Sequence, residues 1–205
     1  MTAPRGLRPG ILIIVNLVCA AALAESGGIV ARDAARVDHD DSYVYRLPYG
    51  DSESFAVLQT YGSKLSHRGH EYYTIDFGMP EGTLVYSARE GTVLDVEDRF
   101  DISCFSAGCS RFANYVEIRH RDGTIGRYFH LQRDSVLVEP GQWVGRGEPI
   151  ARSGDTGYST SPHLHFGVYR PTGDGEAESI AVRFAVRGGM IGQPRAGARY
   201  VNATR

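Results

Sequence analysis

The chemistry legible in this 205-residue chain rests on histidines and one aspartate. His163 and His165 flank Leu164 in Ser161-Pro162-His163-Leu164-His165-Phe166, after a Gly-rich approach from Ser153 to Thr160. Strand residues i and i+2 share a face. On a strand both imidazoles therefore point one way, and Leu164 points into whatever lies behind. Two imidazoles on one face suit one metal ion, or one ligand beside one proton-transfer group. The plain alternative is a pair of surface histidines. Asp76, in Thr74-Ile75-Asp76-Phe77, stands opposite two apolar neighbours. A carboxylate so placed marks a site, because an unpaired buried charge is expensive; a sheet-edge Asp satisfied by backbone amides is the competing reading.

A catalytic zinc takes three protein ligands from His and carboxylate and keeps one position open. The chain offers that set: His67 or His70, Asp76, and one of His163 and His165. His130 and the remaining histidine of the pair are then free for proton transfer or for hydrogen bonding to an oxyanion. No G-x-S-x-G, Gly-rich phosphate loop or H-E-x-x-H helix competes. His39 lies among Asp38, Asp40 and Asp41, and His120 ends a strand beside a turn.

The elements that must position these groups read as β. Short runs rich in Val, Ile, Tyr and Phe alternate with Gly, Pro, Asp and Ser clusters. The clearer strands are 72–77, 84–87, 91–96, 114–120, 124–130 and 163–169, with weaker candidates at 43–46, 55–61 and 182–184. Arg121-Asp122-Gly123 reads as a hairpin turn. Residues 101–111 read as an irregular loop holding Cys104 and Cys109. No window gives a long amphipathic helix, so the expected fold is all-β, a single domain of twisted antiparallel sheets.

Residues 1–24 read as a cleavable signal peptide: Arg5 and Arg8, an apolar run from Ile11 to Leu23, and small residues at Ala22 and Ala24. Cys19 could suggest lipidation, but Val18 before it is a poor match. The apolar run is short for a membrane span, so no stable membrane insertion is expected after cleavage. Residues 25–41 read as a linker and 42–205 as the domain. Without Arg5 and Arg8 the balance is 20 basic against 24 acidic residues, a net charge of about −4. That gives no support to nucleic acid binding. Cys104 and Cys109, an even pair in an exported chain, read as a disulfide; half a zinc site would need a second pair.

The ordered motifs resemble the lysostaphin-type (LytM-type) zinc metallopeptidases. The resemblance is carried by Asp76-Phe77-Gly78 ahead of Pro80-Glu81-Gly82-Thr83-Leu84-Val85, then Gly91-Thr92-Val93, Asn114 to His120, Tyr128-Phe129-His130-Leu131, Gly141 to Gly147, and Thr156 to Phe166. It spans about residues 55–170, leaving 171–205 as a C-terminal extension. It implies a lysostaphin/LytM-like fold of the duplicated hybrid motif kind. Asp76 and His165 would be zinc ligands, and His130 and His163 the unliganded catalytic histidines. The family's His-x-x-x-Asp spacing puts a tyrosine, Tyr72, where the first ligand belongs. This chain therefore carries an insertion, and His67 is preferred to His70 because Ser66-His67-Arg68-Gly69 keeps a His-x-Gly pattern. Ser161 stands where the family usually has Gly.

The function so implied is an exported, periplasmic or secreted, zinc metalloendopeptidase. It would hydrolyse peptide bonds of peptidoglycan cross-bridges or stem peptides through a zinc-activated water. The alternative is a catalytically inactive peptidoglycan-binding module that activates another wall hydrolase. A structural zinc domain is weaker, since structural sites are usually closed, four-ligand and Cys-rich.

Overall fold

A computed structural model describes residues 39–40, 42–172 and 175–203. The stretch 1–24, read as a signal peptide, and nearly all of 25–41, read as a linker, lie outside the described residues. The strands are Val44–Arg46 (β1), Val57–Gln59 (β2), Ile75–Phe77 (β3), Leu84–Tyr86 (β4), Gly91–Glu97 (β5), Ser103–Cys104 (β6), Tyr115–Arg119 (β7), Ile125–Phe129 (β8), Trp143–Val144 (β9), Pro149–Arg152 (β10), Gly157–Tyr158 (β11), Leu164–Pro171 (β12), Ala177–Ser179 (β13), Arg183–Val186 (β14) and Gly189–Ile191 (β15). The helical elements among the described residues are two 3-10 turns, Gly69–Glu71 and Ala107–Phe112. The protein is all-β.

The largest sheet runs β2-β3-β12-β8-β7-β5-β9, and every pairing in it is antiparallel. The eight-residue β12 is its axis. Its first half pairs with β3, its second half with β13, and its other edge with β8. Period-2 alternation sorts the side chains. Ile75, Phe77, Val116, Ile118, Tyr128, Leu164, Phe166 and Val168 point inward and are fully or almost fully buried. Asp76, Phe129 and His165 share the opposite face. Alternation fixes register here, because a one-residue slip would bury the charged set and expose the apolar one.

Two pairings depart from the antiparallel expectation. β1 pairs in parallel with β14, and β6 with β11. The first draws the C-terminal segment into the core: Ile180, Val182, Phe184 and Val186 are all buried in it. The second docks the cysteine loop. Cys104 and Cys109 form a disulfide, their Cα atoms 6.0 Å apart. That loop is less irregular than its Gly and Ser content suggests, since β6 and the Ala107–Phe112 turn lie within it.

The β7–β8 hairpin turns at Gly123, whose φ of 84° favours glycine. Asp122 accepts hydrogen bonds from the Thr124 amide and hydroxyl, and its other oxygen accepts one from Arg89 at 2.7 Å. Arg89 lies 3.9 Å above the Tyr43 ring. Beside this cluster the buried His120 donates from Nδ1 to the Glu90 carbonyl (2.9 Å), and its Nε2 has no hydrogen-bond partner. A Cβ at Gly126 would come within 3.0 Å of that nitrogen.

Burial lowers the His120 pKa to about 4, against about 6.5 in an unfolded chain. Above pH 6.5 the ring is neutral in both states. Between pH 6.5 and 4 only the unfolded chain takes the proton, so stability falls as pH falls. The expected loss across that window is on the order of 3 kcal/mol. Urea midpoints of wild type and His120→Gln, compared from pH 7 to 4, should show this component in wild type alone.

Candidate active site

Asp76 is 3 % exposed. Its Oδ2 accepts a hydrogen bond from the Gln59 amide at 2.6 Å. That leaves Oδ1 to face two imidazoles: His67 Nε2 at 3.1 Å and His165 Nδ1 at 2.8 Å. The register delivers His165, which sits directly opposite Asp76 across the β3–β12 pairing. His67 comes from the segment after β2, fully buried, and donates from Nδ1 to the Thr60 carbonyl at 3.0 Å. The other ring nitrogen is thereby turned to Asp76. The two donor nitrogens and a carboxylate oxygen lie within 4.8 Å of one another. That is the donor chemistry of a three-ligand metal site, and His67 has its outer nitrogen satisfied by a carbonyl, as metal-ligating histidines do.

Burial works to raise the Asp76 pKa, but hydrogen bonds from His165 and His67 outweigh it and hold the carboxyl well below its usual range. Burial works to lower His165, but its bonds to Asp76 and Glu71 outweigh that and raise it to about 9.

His130 and His163 lie at the same end of the sheet, one just after β8 and the other just before its antiparallel neighbour β12. His130 follows β8 with a φ of 63°, a left-handed conformation that ends the strand. Its Nδ1 donates to the Thr156 carbonyl at 2.6 Å. His163 precedes β12, bridged to Gly154, and its Nδ1 donates to the Ser161 carbonyl at 2.8 Å. In the neutral tautomer that these carbonyl acceptors select, the proton sits on Nδ1 and Nε2 carries the lone pair in both rings. His163 Nε2 lies 3.8 Å from Asp76 Oδ2. The two rings are 4.6 Å apart, centroid to centroid. Burial lowers the His130 pKa to about 3, with neighbouring His163 and His165 adding to it.

Asp76, His130, His163 and His165 line one cavity of about 430 Å³. Phe105, exposed on the disulfide loop, stacks on Tyr158 at 5.4 Å along its wall. His67 and not His70 reaches the cluster; His70 is exposed on the 3-10 turn. Ser161 contributes a backbone carbonyl, which any residue supplies. Gln59, Glu71 and Thr156 were not foreseen. Thr156 acts through its backbone, which sequence does not flag, while Glu71 stands in the insertion that departs from the resemblance.

The sequence profile of peptidase family M23 matches residues 70–178. The chain belongs to peptidase family M23. Among curated relatives of this M23 chain, the peptidoglycan DD-endopeptidase ShyA of Vibrio cholerae is 40 % identical over 91 residues, 44 % of this chain and 18 % of that protein. Glycyl-glycine endopeptidase ALE-1 of Staphylococcus capitis is 33 % identical over 141 residues, 66 % of this chain and 33 % of that protein. The chain thus spans a third or less of these relatives. A zinc-containing peptidase structure from Vibrio cholerae shares 30 % identity at a TM-score of 0.48, covering 67 % of this chain and 39 % of that one. The M23 match begins after His67, whose place in the site rests on geometry.

Gly157 in β11 has a φ of 82°, and a Cβ there would fall 2.6 Å from the Ala113 Cβ. Gly157→Ala should push the backbone carrying the Thr156 carbonyl away from His130. Hydrolysis is expected to fall by about tenfold or more with bound metal unchanged, read as kcat beside metal content.

Proposed function

We propose that this M23 chain is an exported zinc endopeptidase that hydrolyses peptide bonds of peptidoglycan. The observation that carries the proposal is the convergence of His67 Nε2, Asp76 Oδ1 and His165 Nδ1, with Asp76 and His165 lining one cavity together with the imidazoles of His130 and His163. Relatives named as peptidoglycan and glycyl-glycine endopeptidases support the substrate class. Export is supported by the Cys104–Cys109 disulfide, since such bonds persist in oxidising compartments, and by the signal-like composition of residues 1–24. Among the described residues no helix is long and apolar enough to cross a membrane.

His67, Asp76 and His165 would hold the ion. Zinc, when bound, supplies Lewis acidity that acidifies a water and polarises a carbonyl. The protein's own contribution is proton handling. The Nε2 lone pairs of His130 and His163 can each accept a hydrogen bond from a water in the cavity. His163, with its Nε2 3.8 Å from Asp76 Oδ2, takes the proton from the water as it attacks. His130, kept neutral by burial, orients the water. The protonated His163 then returns its proton to the leaving amine, completing the hydrolysis.

Zinc content and release of new amines from sacculi test the proposal. Wild type should hold about one zinc and cut. His165→Ala should lose the metal. His130→Ala should keep it and lose activity by about 100-fold or more. A folded wild type that binds no zinc overturns the proposal; one that binds zinc and sacculi without cutting favours the binding-module reading. Phe105→Ala, which removes the exposed ring of the cavity wall, should raise KM several-fold with kcat and zinc content unchanged.

A further inference from the structure

The segment between His67 and Asp76 looks at first like a spacer that lengthens a ligand spacing. It folds into the 3-10 turn Gly69–Glu71, and that turn carries a carboxylate to the site. Glu71 Oε2 lies 3.4 Å from His165 Nε2, the ring nitrogen opposite the one that faces Asp76. The same oxygen accepts a hydrogen bond from the Tyr169 hydroxyl. We infer that Glu71 is the outer carboxylate of the metal centre, a positioning residue that fixes the ring plane and tautomer of His165 and raises its affinity for the ion. This rests on the proposed His67–Asp76–His165 site.

The arrangement follows from the alternation along β12. His165, Gly167 and Tyr169 share one face of that strand. Gly167 between them has no side chain, and a Cβ there would fall 2.7 Å from Thr74 Cγ2 and 2.8 Å from Tyr169 Cε2. The missing Cβ lets the Tyr169 ring lie along the sheet, with its hydroxyl directed at Glu71. Across the sheet, Arg127 packs over the Tyr169 ring with its guanidinium 4.4 Å from the centroid, and its Nε lies 2.8 Å from Glu117. Glu71 is thus gripped by a phenol that is itself held in place, although the turn it sits on is exposed at His70.

Glu71 is not a fourth ligand in this geometry. It meets His165 on the far side of the ring, and it falls outside the group of ligand atoms within 4.8 Å of one another. A carboxylate accepting the outer N–H of a ligating histidine holds the proton on that nitrogen, so the inner one is free for the metal. It also raises ligand basicity, and loss of such partners typically costs 10- to 100-fold in metal affinity.

The test is the zinc dissociation constant of wild type, Glu71→Ala, Glu71→Gln, Tyr169→Phe and His165→Ala, measured by competition with a chromogenic chelator. Melting of each in chelator reports the metal-free fold. Glu71→Ala should bind zinc about 10- to 100-fold more weakly. Glu71→Gln, nearly isosteric and still able to accept the N–H, and Tyr169→Phe should fall between it and wild type. All three should melt like wild type when metal-free. Zinc affinity of Glu71→Ala and Glu71→Gln within twofold of wild type, with His165→Ala defective, overturns the inference and leaves the metal site standing. His165→Ala binding zinc as wild type does overturns the site and the inference together.

Discussion

A carboxylate with 3 % exposure in a β-sheet is the constraint on which the rest of this structure depends. Burying an ionised Asp is costly unless partners surround it. Asp76 has them on every side: Gln59 on Oδ2, His67 and His165 on Oδ1, and His163 close by. The partners come from three separate stretches of chain, so satisfying one charge fixes β2, β3, the His67 segment and β12 against one another. The group that dictates this packing also makes the site.

The sheet then does the positioning. β12 lies between β3 and β8. Asp76 and His165 face each other within the ladder, while His163 and His130 sit just beyond strand ends, where the backbone turns their rings into the cavity. Backbone carbonyls of Thr60, Thr156 and Ser161 set the tautomers of His67, His130 and His163. Ring orientation is thus decided mostly by main-chain atoms. The disulfide loop reaches the same machinery through β6, which pairs with β11 next to Thr156.

The sequence showed the parts that obey alternation and composition. Leu164 to Tyr169 and Tyr115 to Arg119 alternate with the period of a half-buried strand, and both are strands. Asp76 stood out because its neighbours Ile75 and Phe77 are core residues. The hairpin at Asp122-Gly123 was legible from turn chemistry. What was hidden depends on distant contacts or on main-chain atoms. The β1–β14 pairing joins residues far apart in sequence, so the C-terminal segment looked like an extension although Phe184 is fully buried in the core. Residues 72–74 were read as the start of a strand and form a turn, because the Glu71 carbonyl holds Thr74 through both its amide and its hydroxyl. The choice of His67 over His70 depended on which ring points inward, which spacing alone does not decide.

The central claim is that His67, Asp76 and His165 together hold one ion, and zinc K-edge absorption on the reconstituted protein tests it most directly. The account predicts a first shell of nitrogen and oxygen at about 2.0–2.1 Å with scattering from two imidazoles, falling to one imidazole in His67→Ala and staying at two in His70→Ala. A shell containing sulfur, or one whose imidazole count is unchanged in His67→Ala, would contradict it.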